Sequence, residues 1–207
     1  MPYFVVAKIL EPIEPAERCD RYEDPLEAVL EGKGLGSVSG GGTQYSLEYE
    51  IEHVDLDVEL TVEAEGLDEA LHVIKTVLEM GGAPVGSELR YEKDGREAVI
   101  PFGTNEGLAI YLDGLDLPPE VYENSGINAL ADEINAALEP DLGSIRGSWA
   151  GPTETAVYVY GTDAKAIYAK LDALLHWYPL CQNARVVFPY QHPTKEPRAV
   201  RIPRFEP

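Results

Sequence analysis

Leu35-Gly36-Ser37-Val38-Ser39-Gly40 and Leu142-Gly143-Ser144-Ile145-Arg146-Gly147 are two copies of one pattern, a leucine and a glycine leading into a short run that closes on a second glycine. They stand about half a chain apart, and their surroundings repeat with them. After each copy come an apolar and aromatic strand, an acidic residue suited to cap a helix, a helix with an apolar stripe, and another strand. Solenoid repeats run roughly 20–50 residues, so a period this long is that of a duplicated domain.

Working outward, Tyr3 to Leu10 (YFVVAKIL) reads as a central strand, and Gly107 to Leu112 (GLAIYL) is its counterpart. Between Pro15 and Glu31 the apolar residues fall at helical spacing, but Pro25 breaks a continuous helix, so two short pieces are expected, the second capped by Asp24. Gly32 to Thr43 contains neither GxGxxG nor GxxxxGK[ST] and leads into a strand, so a flexible hairpin or bulge is expected rather than a phosphate loop. Alternation from Leu47 to Val62 changes phase, which places a bulge or tight turn near Glu52-His53. Asp68 is expected to cap a helix whose buried stripe is Ala70, Leu71, Ile74, Val77 and Leu78. Asp94-Gly95 turns the hairpin that follows.

In the second half, Ile127, Leu130, Ala131, Ile134 and Leu138 form the stripe of a helix entered through Asn124-Ser125 and stopped by Pro140. Two strands run from Gly143 to Tyr160, Asp163 caps a further helix, and Arg185 to Phe188 is the closing strand. The expected class is α+β. The order in each half is βαββαβ with antiparallel sheets, and this resembles tandem ferredoxin-like domains. The expected boundaries are 1–103, with an appended hairpin strand, 104–190, and an extended, basic, proline-rich tail over 191–207. That tail is expected to dock Val200, Ile202 and Phe205, with Arg198, Arg201 and Arg204 facing carboxylates.

The 207 residues are 44% hydrophobic and 26% charged, an ordinary globular composition. The net charge of −21 repels phosphate backbones and anionic headgroups, so neither nucleic acid nor membrane is an expected partner. Met1-Pro2-Tyr3 enters a strand without a basic start, and no apolar window of about 18 residues occurs, which reads as cytoplasmic. Cys19 and Cys181 lack CxxC spacing and read as buried thiols.

Ser46 to Glu69 carries ten acids and no Lys or Arg. A calcium loop gathers its oxygens in a compact turn, whereas Asp55, Asp57, Glu59 and Glu63 are expected along one straight strand face. No metal or cofactor is therefore expected. The histidines lack HExxH spacing, there is no GxSxG, and no catalytic residue stands out. In the strand ending at Gly161, Tyr158 and Tyr160 stand where the first half has its acids. Carboxylates and tyrosines on free sheet faces suit Lys- and Arg-rich partners.

The expectation is a non-catalytic binding or regulatory module for a basic protein partner, similar to toxin-immunity proteins in acidity and small α+β build. The alternative is an enzyme, or a small-ligand sensor similar to ACT-type regulatory domains, with its site in the cleft between the halves.

Overall fold

The structure, a computed structural model, describes residues 2–138 and 142–204. The expected stop at Pro140 and docking of Phe205 lie outside them. The chain is α+β and forms two compact units, one of Met1–Ser46 and Ile51–Thr104, the other of Leu47–Glu50 and Asn105–Pro207.

The first unit runs β1 (Tyr3–Ile9), α1 (Pro15–Arg18), a π-helical turn (Cys19–Glu23), α2 (Asp24–Lys33), β2 (Gly36–Tyr45), β3 (Ile51–Leu60), α3 (Leu67–Met80), β4 (Ser87–Lys93) and β5 (Arg96–Phe102). Its antiparallel sheet has the order β2-β3-β1-β4-β5. The second unit runs β6 (Glu106–Asp113), α4 (Pro119–Asn124), α5 (Ile127–Ala137), β7 (Gly143–Ala150), β8 (Glu154–Gly161), α6 (Ala164–Leu175), β9 (Arg185–Tyr190) and β10 (Arg198–Arg201). Its antiparallel sheet has the order β10-β9-β6-β8-β7. Counted within its own unit, each sheet reads second, third, first, fourth, fifth.

The repeated glycine stretch opens the second strand of each unit. A Cβ on Gly36 would lie 2.0 Å from the Glu59 carbonyl oxygen, and one on Gly143 would lie 2.8 Å from that of Tyr160. Only glycine lets the backbones approach so closely. Three residues on, the register slips between Val38 and Gly40 in β2 and between Ile145 and Gly147 in β7. The stretch Gly36–Tyr45 is thus a bulged strand, the bulge being one of the two forms expected there, and no hairpin forms within it.

Three other local expectations shift. The turn expected near Glu52-His53 lies earlier, over 46–50, so Leu47 and Tyr49 project from a connection and account for the broken alternation. The helical run from Pro15 to Lys33 is unbroken, because a π-helical turn precedes Pro25 and the Asp24 N–H reaches back to the Cys19 carbonyl. An i→i−5 bond there accommodates the proline, which has no N–H to offer the regular ladder. Asp24 and Asp68 lie in first helical turns without side-chain capping bonds, whereas Asp163 caps α6 by accepting from the Ala166 N–H at 2.9 Å.

Each sheet packs its helices on one face. Val5, Ala7, Ile9, Leu56, Val58 and Leu60 meet Leu26, Leu30, Ile74 and Leu78 in the first core. Leu108, Ile110, Val157 and Val159 meet Leu130, Ile134, Ile167 and Leu171 in the second. Burying each such side chain is worth about 1.5–3 kcal/mol. No helix among the described residues is long and apolar enough to cross a membrane.

Candidate functional site

Because strand side chains alternate, the residues of the first sheet that do not enter its core share the opposite face. On β3 these are His53, Asp55, Asp57 and Glu59, and on β1 they are Phe4, Val6 and Lys8. The register sets Lys8 beside Asp55 and Glu88, Val6 beside Asp57 and Arg90, and Phe4 beside Glu59. Arg90 in turn stands opposite Val99, and Glu92 opposite Glu97. The face therefore carries Asp55, Asp57, Glu59, Glu88, Glu92 and Glu97 against Lys8 and Arg90.

Arg90 is committed to Glu88, donating from Nη2 at 2.8 Å and Nε at 3.1 Å, and this ion pair holds its guanidinium above the usual range. His53 Nε2 lies 3.8 Å from Asp55 Oδ2, yet burial and the neighbouring Lys8 charge lower its pKa below that of an ordinary histidine. At neutral pH it adds no cation. Two apolar side chains stand among the carboxylates with much of their surface in water, Phe4 at 62% and Val99 at 48% exposure.

Of the residues singled out from sequence, Asp55, Asp57 and Glu59 share this face. Glu63 does not extend it, since β3 ends at Leu60 and the Glu63 carbonyl accepts from the Gly66 N–H in a short turn. Tyr158 and Tyr160 belong to the second unit and are buried, so neither offers a partner surface. Their face is occupied by segment 47–50, which packs with that unit. Glu50 Oε1 accepts from the hydroxyls of Tyr111 at 2.9 Å, Tyr158 at 2.5 Å and Tyr190 at 3.1 Å, and the Trp149 indole N–H donates to the Glu48 carbonyl at 3.2 Å. Arg185 lies over the Tyr111 ring at 3.9 Å and pairs with Glu154 at 2.8 Å.

Sequence reasoning passed over Phe4, Glu88, Glu92 and Glu97, although the period-two pattern of β1 and β4 held the signal. It had no signal for Glu50, which meets tyrosines far along the chain. Among the described residues no group of three or more His, Cys, Asp or Glu is placed to hold a metal.

No protein family matches the chain, and no curated protein matches it. Solved structures give distant likenesses. An unknown protein from Galdieria sulphuraria aligns at 9% identity over 98% of this chain and 99% of its own, with a TM-score of 0.29. A complex of TiaS with a tRNA, AMPCPP and agmatine aligns at 12% identity over 83% of this chain and 56% of the other, with a TM-score of 0.31. An anthrone oxidase-like protein aligns at 11% identity over 95% and 89%, with a TM-score of 0.26. None of these carries an argument about fold or function.

Proposed function

We propose that the protein is a non-catalytic binding or regulatory module whose outer face on the first sheet engages a basic protein partner, in the manner of an immunity protein. The supporting observation is the composition of that face, six carboxylates against two cations, with Phe4 and Val99 exposed among them. Carboxylates attract and orient a Lys- and Arg-rich surface, while the apolar groups supply the desolvated contact that holds it. The two units are read as copies of a duplicated ferredoxin-like unit, each with an added fifth strand. The shared strand order and the matching bulges support that reading.

Calorimetric titration with a cationic test protein such as a histone checks the proposal. Neutralising Asp55, Asp57, Glu59 and Glu97 together should weaken binding at least tenfold, and Phe4→Ala should weaken it at constant charge. Neutralising Glu120, Glu123, Asp132 and Glu133 in the second unit is the control. An equal loss in the control, or no effect of Phe4→Ala, means that only net charge acts and the face is not a site.

A further inference from the structure

The second unit contains a cavity of about 550 Å³. Leu112 and Asp113 at the end of β6, Tyr122 of α4, Gly126 and Ile127 at the start of α5, and Leu180 line it. Its origin lies in how the helical segment is broken. In the first unit the corresponding segment is helical throughout, and Tyr22 from its π-helical turn is fully buried. In the second unit α4 stops at Asn124, and Ser125 and Gly126 are extended before α5 begins. The chain crosses that gap on a small serine and a glycine, and the space beneath stays open.

The walls define what fits. Sites of about 300–1,000 Å³ hold one drug-sized molecule. Leu112, Ile127 and Leu180 present aliphatic surface, Tyr122 and Trp149 add aromatic side chains, and Ser125, Ser148 and Thr155 add hydroxyls. Among the described residues no Lys, Arg or His lines the cavity, and Asp113 is the one acidic residue there. Its carboxylate accepts from the N–H groups of Leu115 and Asp116 at 2.9 Å each and from the Asn183 amide at 2.9 Å. Burial acts to raise its pKa, but these bonds and the Arg204 charge outweigh burial and hold it below the usual carboxylate range. It is therefore a fixed negative charge beside an apolar floor. An anion finds no cation among the lining residues and meets that charge, whereas an uncharged apolar molecule gives up little hydration on entry and the desolvation of a cation is offset in part by Asp113.

We infer that this cavity is a binding site for a small apolar molecule bearing no negative charge, held by Leu112, Ile127 and Leu180 beside Ser125 and Gly126. The site lies wholly within the second unit and is independent of the acidic sheet face in the first.

The test uses the intact protein and N-phenyl-1-naphthylamine, an uncharged apolar dye that brightens out of water. The dye should bind saturably at one equivalent, and amide shifts in a ¹⁵N-labelled sample should move at Ser125, Gly126, Ile127 and Ala150. Gly126→Trp is the blocking variant. Backbone angles of φ −87° and ψ 146° suit any residue, and a Cβ there meets nothing within 4 Å, so the fold should tolerate it. It should weaken dye binding at least tenfold with an unchanged melting temperature. Anilinonaphthalene sulfonate, similar in shape but anionic, should bind the unaltered protein at least tenfold more weakly. Unsaturable dye binding, shifts elsewhere, or tighter binding of the sulfonate overturns the inference. So does a folded Gly126→Trp that binds as before, and the amide shifts decide the matter if that variant does not fold.

Discussion

The Tyr158 hydroxyl donates to Glu50 Oε1 at 2.5 Å, and the same oxygen accepts from Tyr111 and Tyr190. One carboxylate thus satisfies three phenols on the covered face of the second sheet. Hydrogen bonds to charged groups are worth about 1.5–3 kcal/mol, and a buried donor left unpaired carries its full desolvation penalty. Glu50→Ala should destabilise the second unit by about 2–4 kcal/mol, with Glu50→Gln intermediate. Amide exchange of β8 measures it, and rates unchanged in Glu50→Ala would show that the three phenols find water instead.

The same cluster gives the unit an alkaline limit. Burial pushes the Tyr111 pKa up to about 12 and raises those of Tyr158 and Tyr190 as well, with Glu50 adding to all three. A raised folded pKa means that this contribution is complete below the unfolded value, about 10 for tyrosine, and is lost as pH rises through the folded one. Ultraviolet titration should therefore show these phenols ionising late and together with unfolding. Smooth ionisation of all 12 tyrosines in a folded protein at the ordinary tyrosine pKa would contradict it.

Glu11 sets a different window in the first unit. It is fully buried, and burial raises its pKa from 4.5 to about 7, against the lowering effects of the Tyr22 hydroxyl bond and the Arg21 charge. Its favourable contribution is complete below about pH 4.5 and is lost as pH climbs through about 7. Relative to Glu11→Gln, the unaltered first unit should lose on the order of 3 kcal/mol across that interval. Denaturant midpoints for the two proteins that run parallel with pH would rule this out.

Crowding on the first sheet predicts a salt response. Like charges on neighbouring strand positions repel, and mobile ions screen them within about 8–10 Å at physiological ionic strength. The melting temperature should rise from low to moderate salt, and Asp57→Asn should raise it at low salt only. Calcium at matched ionic strength should do no more than sodium. A response specific to calcium would mean that the carboxylates gather around a cation.

How much of this was legible depends on how local each cause is. Alternation placed Asp55, Asp57 and Glu59 on one strand face, and helical spacing found Leu130 and Ile134, because both patterns lie within a single element. Gly36 and Gly143 marked matching strands for a similarly local reason, since each meets the neighbouring backbone directly. Glycine content allowed a bulge somewhere in Gly32 to Thr43, but its position at Ser39, and the bulge at Arg146, could not be read, because an extra residue exists only relative to a partner strand. Tyr158 and Tyr160 were misjudged for the same kind of reason: their alternation was correct, but segment 47–50, distant in sequence, covers that face. The π-helical turn before Pro25 was hidden because the proline argued for a break, and the chain changed its hydrogen-bond step instead.

The C-terminal segment gives the last prediction, because it separates charge from packing. Proline content suggested an extended tail with little regular structure, docked by its apolar residues, and residues 198–201 are extended as a regular strand, β10, paired with β9 at the edge of the second sheet. Its basic residues make varied contacts. Arg198 lies over the Phe188 ring at 5.9 Å and Arg204 donates to the Asp116 carbonyl at 2.9 Å, while Lys195 pairs with the carboxylate of Glu106. Packing is firmer. Ile202 is 1% exposed, its N–H donates to the Ala184 carbonyl at 2.9 Å, and Val200 packs against the second core. Removing a buried isoleucine side chain costs about 2–5 kcal/mol, whereas an exposed polar contact is worth at most about 1 kcal/mol. Ile202→Ala should therefore destabilise the second unit severalfold more than Arg204→Gln, and the difference should persist at high salt. If Arg204→Gln costs as much as Ile202→Ala, or if salt abolishes the effect of Ile202→Ala, then charge rather than the buried isoleucine holds β10 in place.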